Sequence, residues 1–111
     1  MMTDKIVVLT TCGSVKEARR IARALVEGGL AACVNIVQGP VESIYRWKGR
    51  VESAKERLMV IKTSRRRFAG VEREIRRLHS YQVPEIIAVP VAQGSRNYLA
   101  WMSASVSRSK K

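Results

Sequence analysis

Histidine occurs once in this chain of 111 residues, cysteine twice, and aspartate only at Asp4. Each scarcity excludes something. A structural zinc site takes four Cys or His ligands, and a catalytic one about three with an open position. With only His79, Cys12 and Cys33, and no CxxC or HxxxH spacing, one chain does not close such a site by itself. There is no G-x-S-x-G, no phosphate-cradling glycine loop and no second histidine to relay a proton. Paired carboxylates for acid–base work have to come from Glu42, Glu52, Glu56 or Glu85, which the sequence does not set apart from solvated charges. The expectation is a protein that is not an enzyme. No apolar run approaches the ~20 residues that span a bilayer, so no membrane partner is expected. The opening "MMTDKIVVLTTCGS" has only "IVVL" as an apolar core and no cleavage-like site, so it reads as a first strand and not as a signal peptide. Both cysteines are then expected as free thiols in a soluble, cytoplasmic protein.

Positive charge is what the chain has in excess. Lys and Arg number 21 against 9 Asp and Glu, a net charge of +12. Such a balance attracts polyanions and says little about the fold. Apolar residues make up 46%, and a chain of this length buries roughly two-thirds of its unfolded surface. One folded domain is expected over residues 1–105, followed by a basic tail over 106–111.

Periodicity assigns the elements. "KIVVLTT" (5–11), closed by "CGS", is a buried strand. Ser14 and Glu17 have capping-box spacing, and Ala18, Ile21, Ala22, Leu25 and Val26 form one helix face that "GG" at 28–29 ends. "LAACVNIVQ" (30–38) is a strand stopped by "GP". Residues 41–63 read as two strands about the turn "KG" at 48–49, with "RVESAKE" either exposed strand or a longer loop. A second helix carries Phe68, Val71, Ile75 and Leu78 as its apolar stripe, with Ser64 available as a cap; Ser80 and Pro84 end it. "EIIAVPVA" (85–92) is a last strand, which Pro90 places at an edge or bends. Residues 95–105 form a terminal helix with Tyr98, Leu99 and Met102 inward.

Two β-α-β units joined by a hairpin give an α+β protein, the ferredoxin-like split βαβ sandwich (βαββαβ plus a C-terminal helix), with both helices on one sheet face. Strands such as "ESIYRW" and "EIIAVPV" are apolar on both parities. One helix layer cannot cover both sides, so association with further copies is expected.

Five stretches, "ARALVEGGLAACVNIV" (22–37), "SIYRWKGRVE" (43–52), "IKTSRRRF" (61–68), "LHSYQVPEIIAVPV" (78–91) and "YLAWM" (98–102), resemble the CutA divalent-cation tolerance family. The resemblance runs over about residues 5 to 105. It implies a ferredoxin-like protomer in a tight homotrimer, and an architecture akin to the PII signalling proteins. It also implies tolerance of copper and other divalent cations, with a His before the motif Tyr and a Cys at the end of the first strand among the ligands. His79 matches that His; Thr10 stands at the first-strand position, with Cys12 two residues on, and Ser80 stands where the family often has Pro.

The expected metal set is therefore His79, Cys12 and Glu85, meeting at a subunit boundary and taking copper or another divalent cation. The plainer reading of His79 is a helix-end residue whose cation favours the C-terminal dipole. Cys33, mid-strand, reads as packing. Tyr45, Trp47, Tyr81 and Trp101 read as core or subunit-interface anchors. The arginines of the second helix, Arg66, Arg73, Arg76 and Arg77 among them, read as a solvated face or as a non-specific polyanion or nucleic-acid surface. The function expected is a trimeric, copper-binding or signalling-type scaffold, with polyanion-binding assembly as the alternative.

Overall fold

Residues 3–106 are described by the computed structural model. The elements run β1 (Lys5–Cys12), α1 (Val15–Glu27), β2 (Cys33–Trp47), β3 (Arg50–Ser64), a 3-10 turn (Arg65–Arg67), α2 (Phe68–Leu78), β4 (Ile87–Pro90) and α3 (Arg96–Val106). All pairings are antiparallel and the strand order is β2-β3-β1-β4. This is the ferredoxin-like arrangement, with Pro90 on the edge strand as expected.

Ser14 begins α1, its hydroxyl accepting the Glu17 N–H at 3.1 Å. The capping box is only half made: the Glu17 carboxylate turns instead to Ser80, accepting its N–H at 2.6 Å. Gly29, at φ 73°, leaves the helix in the left-handed region that glycine adopts without strain. In α2 the 3-10 turn precedes the helix proper, and Ser64 makes no side-chain cap.

The strand expected to stop at Gly39–Pro40 does not stop. β2 is continuous, with an irregularity between Val37 and Val41, and "RVESAKE" is regular strand of β3. Pro40 is tolerated because β2 is an edge strand and the bulge removes the ladder bond that proline cannot donate. β1 pairs only with residues 57–64 of β3, so the far half of the hairpin projects beyond the sheet.

Register divides the sheet faces. Ile6, Val8, Cys12, Met59 and Ile61 pack with Ile21, Leu25, Val71 and Ile75 of the two helices into one core. The opposite face presents Val7, Leu9, Leu58, Val60, Ile87 and Val89, none of them fully buried. Only its Lys62 end is met by α3, where Met102 and Val106 are buried. Tyr98, expected inward, is 40% exposed; the helix turns Val106 in instead, so that residue belongs to α3, while the tail residues 107–111 lie outside those described.

Candidate functional site

His79 follows the last turn of α2, where its N–H donates to Ile75 O at 2.8 Å. Its backbone is extended, which swings the ring under the sheet end instead of along the helix dipole. The side chain is fully buried. Nε2 lies 2.7 Å from Thr11 O, and Nδ1 accepts the Tyr81 N–H at 3.1 Å. An amide N–H only donates, so Nδ1 holds the lone pair and Nε2 carries the proton. Glu17 Oε2 stands 4.0 Å from Nδ1. Both ring nitrogens are thus engaged within the chain.

Tyr81 extends the chain of bonds. Its ring centroid lies 4.6 Å from that of His79, and its hydroxyl donates to Glu56 Oε2 at 2.7 Å. Burial pushes the Tyr81 phenol upward and the Glu56 hydrogen bond adds to it, so it remains a donor. Burial also pushes Glu56 upward. Hydrogen bonds from Ser43, Tyr81 and Thr11 outweigh this and hold its carboxyl below the ordinary range.

These groups sit in a cleft of about 490 Å³ lined by Thr11, Ser43, Tyr45, Trp47, Glu56, Tyr81, Gln82, Val83, Pro84 and Glu85. Register puts Ser43, Tyr45, Trp47 and Glu56 on the sheet face away from the helices, at the root of the projecting hairpin. Residues 81–85, leaving α2, wall its other side. Glu85 is raised by burial and then by the Glu56 charge, so the two carboxylates repel across the cleft.

The expected ligand set is therefore divided. Glu85 faces the cleft, while Cys12 lies on the helix side of the sheet with Sγ 3.4 Å from Met59 Sδ. Burial pushes the Cys12 thiol up to about 12, with Glu17 and Glu56 adding to it, so at neutral pH it is no thiolate. Among the described residues no group of three or more His, Cys, Asp or Glu is placed to hold a metal ion. Of the expected anchors, Tyr45, Trp47 and Tyr81 share the cleft, each between 37% and 44% exposed, whereas Trp101 pairs with Tyr98 on α3. Arg66, Arg73, Arg76 and Arg77 are all exposed, away from the cleft. Glu56 is the residue that the sequence leaves undistinguished among Glu42, Glu52, Glu56 and Glu85. Counting parity along an unbroken hairpin puts it on the face of Tyr45 and Trp47, a signal hidden by the assumed stop at Pro40.

The strand order and the layer of α1 and α2, with an acidic, aromatic cleft on the other sheet face, define a ferredoxin-like α+β protein. The family model described as CutA1 divalent ion tolerance protein matches residues 6–105, and the chain belongs to that family. It is 51% identical over 96 residues to the divalent-cation tolerance protein CutA of Thermus thermophilus, covering 86% of this chain and 92% of that one. Among solved structures, CutA from Xylella fastidiosa superposes with a TM-score of 0.90 at 36% identity, covering 94% of this chain and 99% of that one. The periplasmic divalent cation tolerance protein CutA from Archaeoglobus fulgidus does so with a TM-score of 0.88 at 40% identity, covering 92% and 98%.

Proposed function

We propose that this chain is a homotrimeric divalent-cation binder, resident in the cytoplasm and taking copper among its cations at the cleft of Glu56 and Glu85. The observation that carries the reading is that Glu56 and Glu85 line one cleft, where burial and then the Glu56 charge raise Glu85 and a divalent cation would offset the like charges. Two carboxylates suit a hard cation best, and copper gains from imidazole only if Nδ1 of His79 gives up the Tyr81 N–H. In this reading Glu85 is a ligand, Cys12 is not, and His79 positions Tyr81 and through it Glu56. The uncovered apolar face supports association, and a neighbouring copy seated there supplies the donors a single chain lacks.

Native mass spectrometry of the protein, alone and with copper(II) or manganese(II), tests both halves. The expected result is a trimer that takes up cation, with uptake lost in Glu85→Gln and in Glu56→Gln. Lowering the pH through the raised Glu85 range weakens uptake, because the proton competes for the same oxygen. A monomer defeats the assembly. Uptake unchanged in both Glu variants defeats the cleft, and copper lost only in His79→Ala makes the imidazole the ligand.

A further inference from the structure

The helix layer carries a charge arrangement that folding alone does not favour. α1 and α2 lie side by side over the core, and their outward faces expose Lys16, Arg19, Arg23, Arg73, Arg76 and Arg77. Arg19 and Arg23 stand four apart, as do Arg73 and Arg77, and such like-charge pairs each destabilise a helix by about 0.2–0.5 kcal/mol. Carboxylates offset only part of this charge. Glu27 stands 3.5 Å from Arg23, Glu74 holds Arg77 at 2.8 Å, and Glu17 is turned toward Ser80 and His79. Glu72 is the one further carboxylate on α2, beside Arg73 and Arg76.

We propose that this layer binds the phosphate backbone of duplex nucleic acid, without sequence preference. Three observations select that partner. Every cation of the two helices except Lys16 is an arginine, whose planar fork meets phosphate oxygens in pairs. The only large apolar residue of α1 and α2 that is exposed is Val26, so the face lacks the aromatic and aliphatic anchors of a membrane-surface helix. For the same reason it has no ring on which the bases of a single strand stack, since the exposed Tyr and Trp side chains all lie off these helices. Packed helices run about 8–10 Å apart, comparable to the ~6–12 Å widths of duplex grooves. Two arginine ridges at that spacing reach phosphates on either side of a groove. The chain's +12 net charge adds long-range attraction.

Fluorescence anisotropy with a labelled duplex of 24 base pairs, between 50 and 200 mM salt, tests this. The expected result is a straight fall of log K with log salt. The triple variant Arg19→Gln/Arg73→Gln/Arg76→Gln flattens that slope by about three and weakens binding at least ~10-fold at the lowest salt. A control that removes as much charge from the hairpin tip, Arg46→Gln/Lys48→Gln/Arg50→Gln, leaves the slope unchanged. If the triple variant melts lower than the parent, Arg76→Gln alone is read instead, with a slope change of about one. No binding by the parent protein overturns the proposal. So does equal loss in the hairpin control, or binding to anionic phosphatidylserine vesicles without binding to the duplex.

Discussion

Tyr81 N–H has a proton to give and no lone pair to offer, and that asymmetry fixes the state of His79. A neutral ring donating to Thr11 O ties the end of α2 to the end of β1, and Tyr81 continues the tie to Glu56 on β3. One residue before Thr11 on the same strand, a different side chain is poorly served. Thr10 is fully buried among apolar neighbours, and its Oγ1 has no hydrogen-bond partner among the described residues. A buried hydroxyl without a partner costs about 1–3 kcal/mol. Thr10→Val keeps the shape and deletes that burden, so chemical denaturation should show a gain of about 1 kcal/mol; an unchanged or lower midpoint refutes it. At this scale the sequence was informative where chemistry is rare and silent where it is common. The lone His79 drew attention at once, but nothing in one dimension said that its ring turns under the sheet. Glu56 looked like any of nine acids, because what distinguishes it is three donors brought from residues 11, 43 and 81 by the fold.

Elements were legible wherever period and boundary agreed. α1 has both, a 3.6-residue apolar stripe and Ser14 before it, and it forms where expected. The hairpin was harder, since Gly39–Pro40 is a breaker in an isolated strand and a tolerated bulge on an edge strand held by fifteen residues of partner. Pairing across space decided against the local signal. The turn at the far end carries its own strain. Lys48 has φ 51° and Gly49 φ 79°, as a two-residue turn with both residues left-handed requires. Glycine takes this readily, whereas a lysine there costs roughly 1 kcal/mol. Lys48→Asn, which also tolerates the left-handed region, should raise stability by a few tenths of a kcal/mol up to about 1. The melting temperature measured in parallel with Lys48→Val separates the causes: Asn should rise and β-branched Val should fall, whereas equal shifts would indicate loss of charge alone.

For the molecule as a whole, the decisive feature is that α1 and α2 cover one sheet face, whereas on the other α3 meets only the Lys62 end. Ile87 and Val89 on β4 are 51% and 47% exposed, beside Val7 and Leu9 of β1, and the projecting hairpin adds Tyr45 at 44% and Trp47 at 38%. The doubly apolar strand pattern already pointed to a second cover for the sheet; what supplies it depends on a surface no single chain contains. The cleft of Glu56 and Glu85 opens on this same face, so assembly and cation binding should fail together. Ile87→Lys with Val89→Lys tests the link. Both positions are exposed in the protomer, where surface changes usually stay within about 0.5 kcal/mol, so the fold should persist by circular dichroism. Burying two lysines against an apolar neighbour is far more costly. Sedimentation velocity should therefore find three times the protomer mass for the parent protein and the protomer alone for the variant, whose cation uptake should drop although both carboxylates remain. Uptake that survives in a dissociated variant would show that one chain holds the cation unaided, and a variant that still assembles would move the interface off this face.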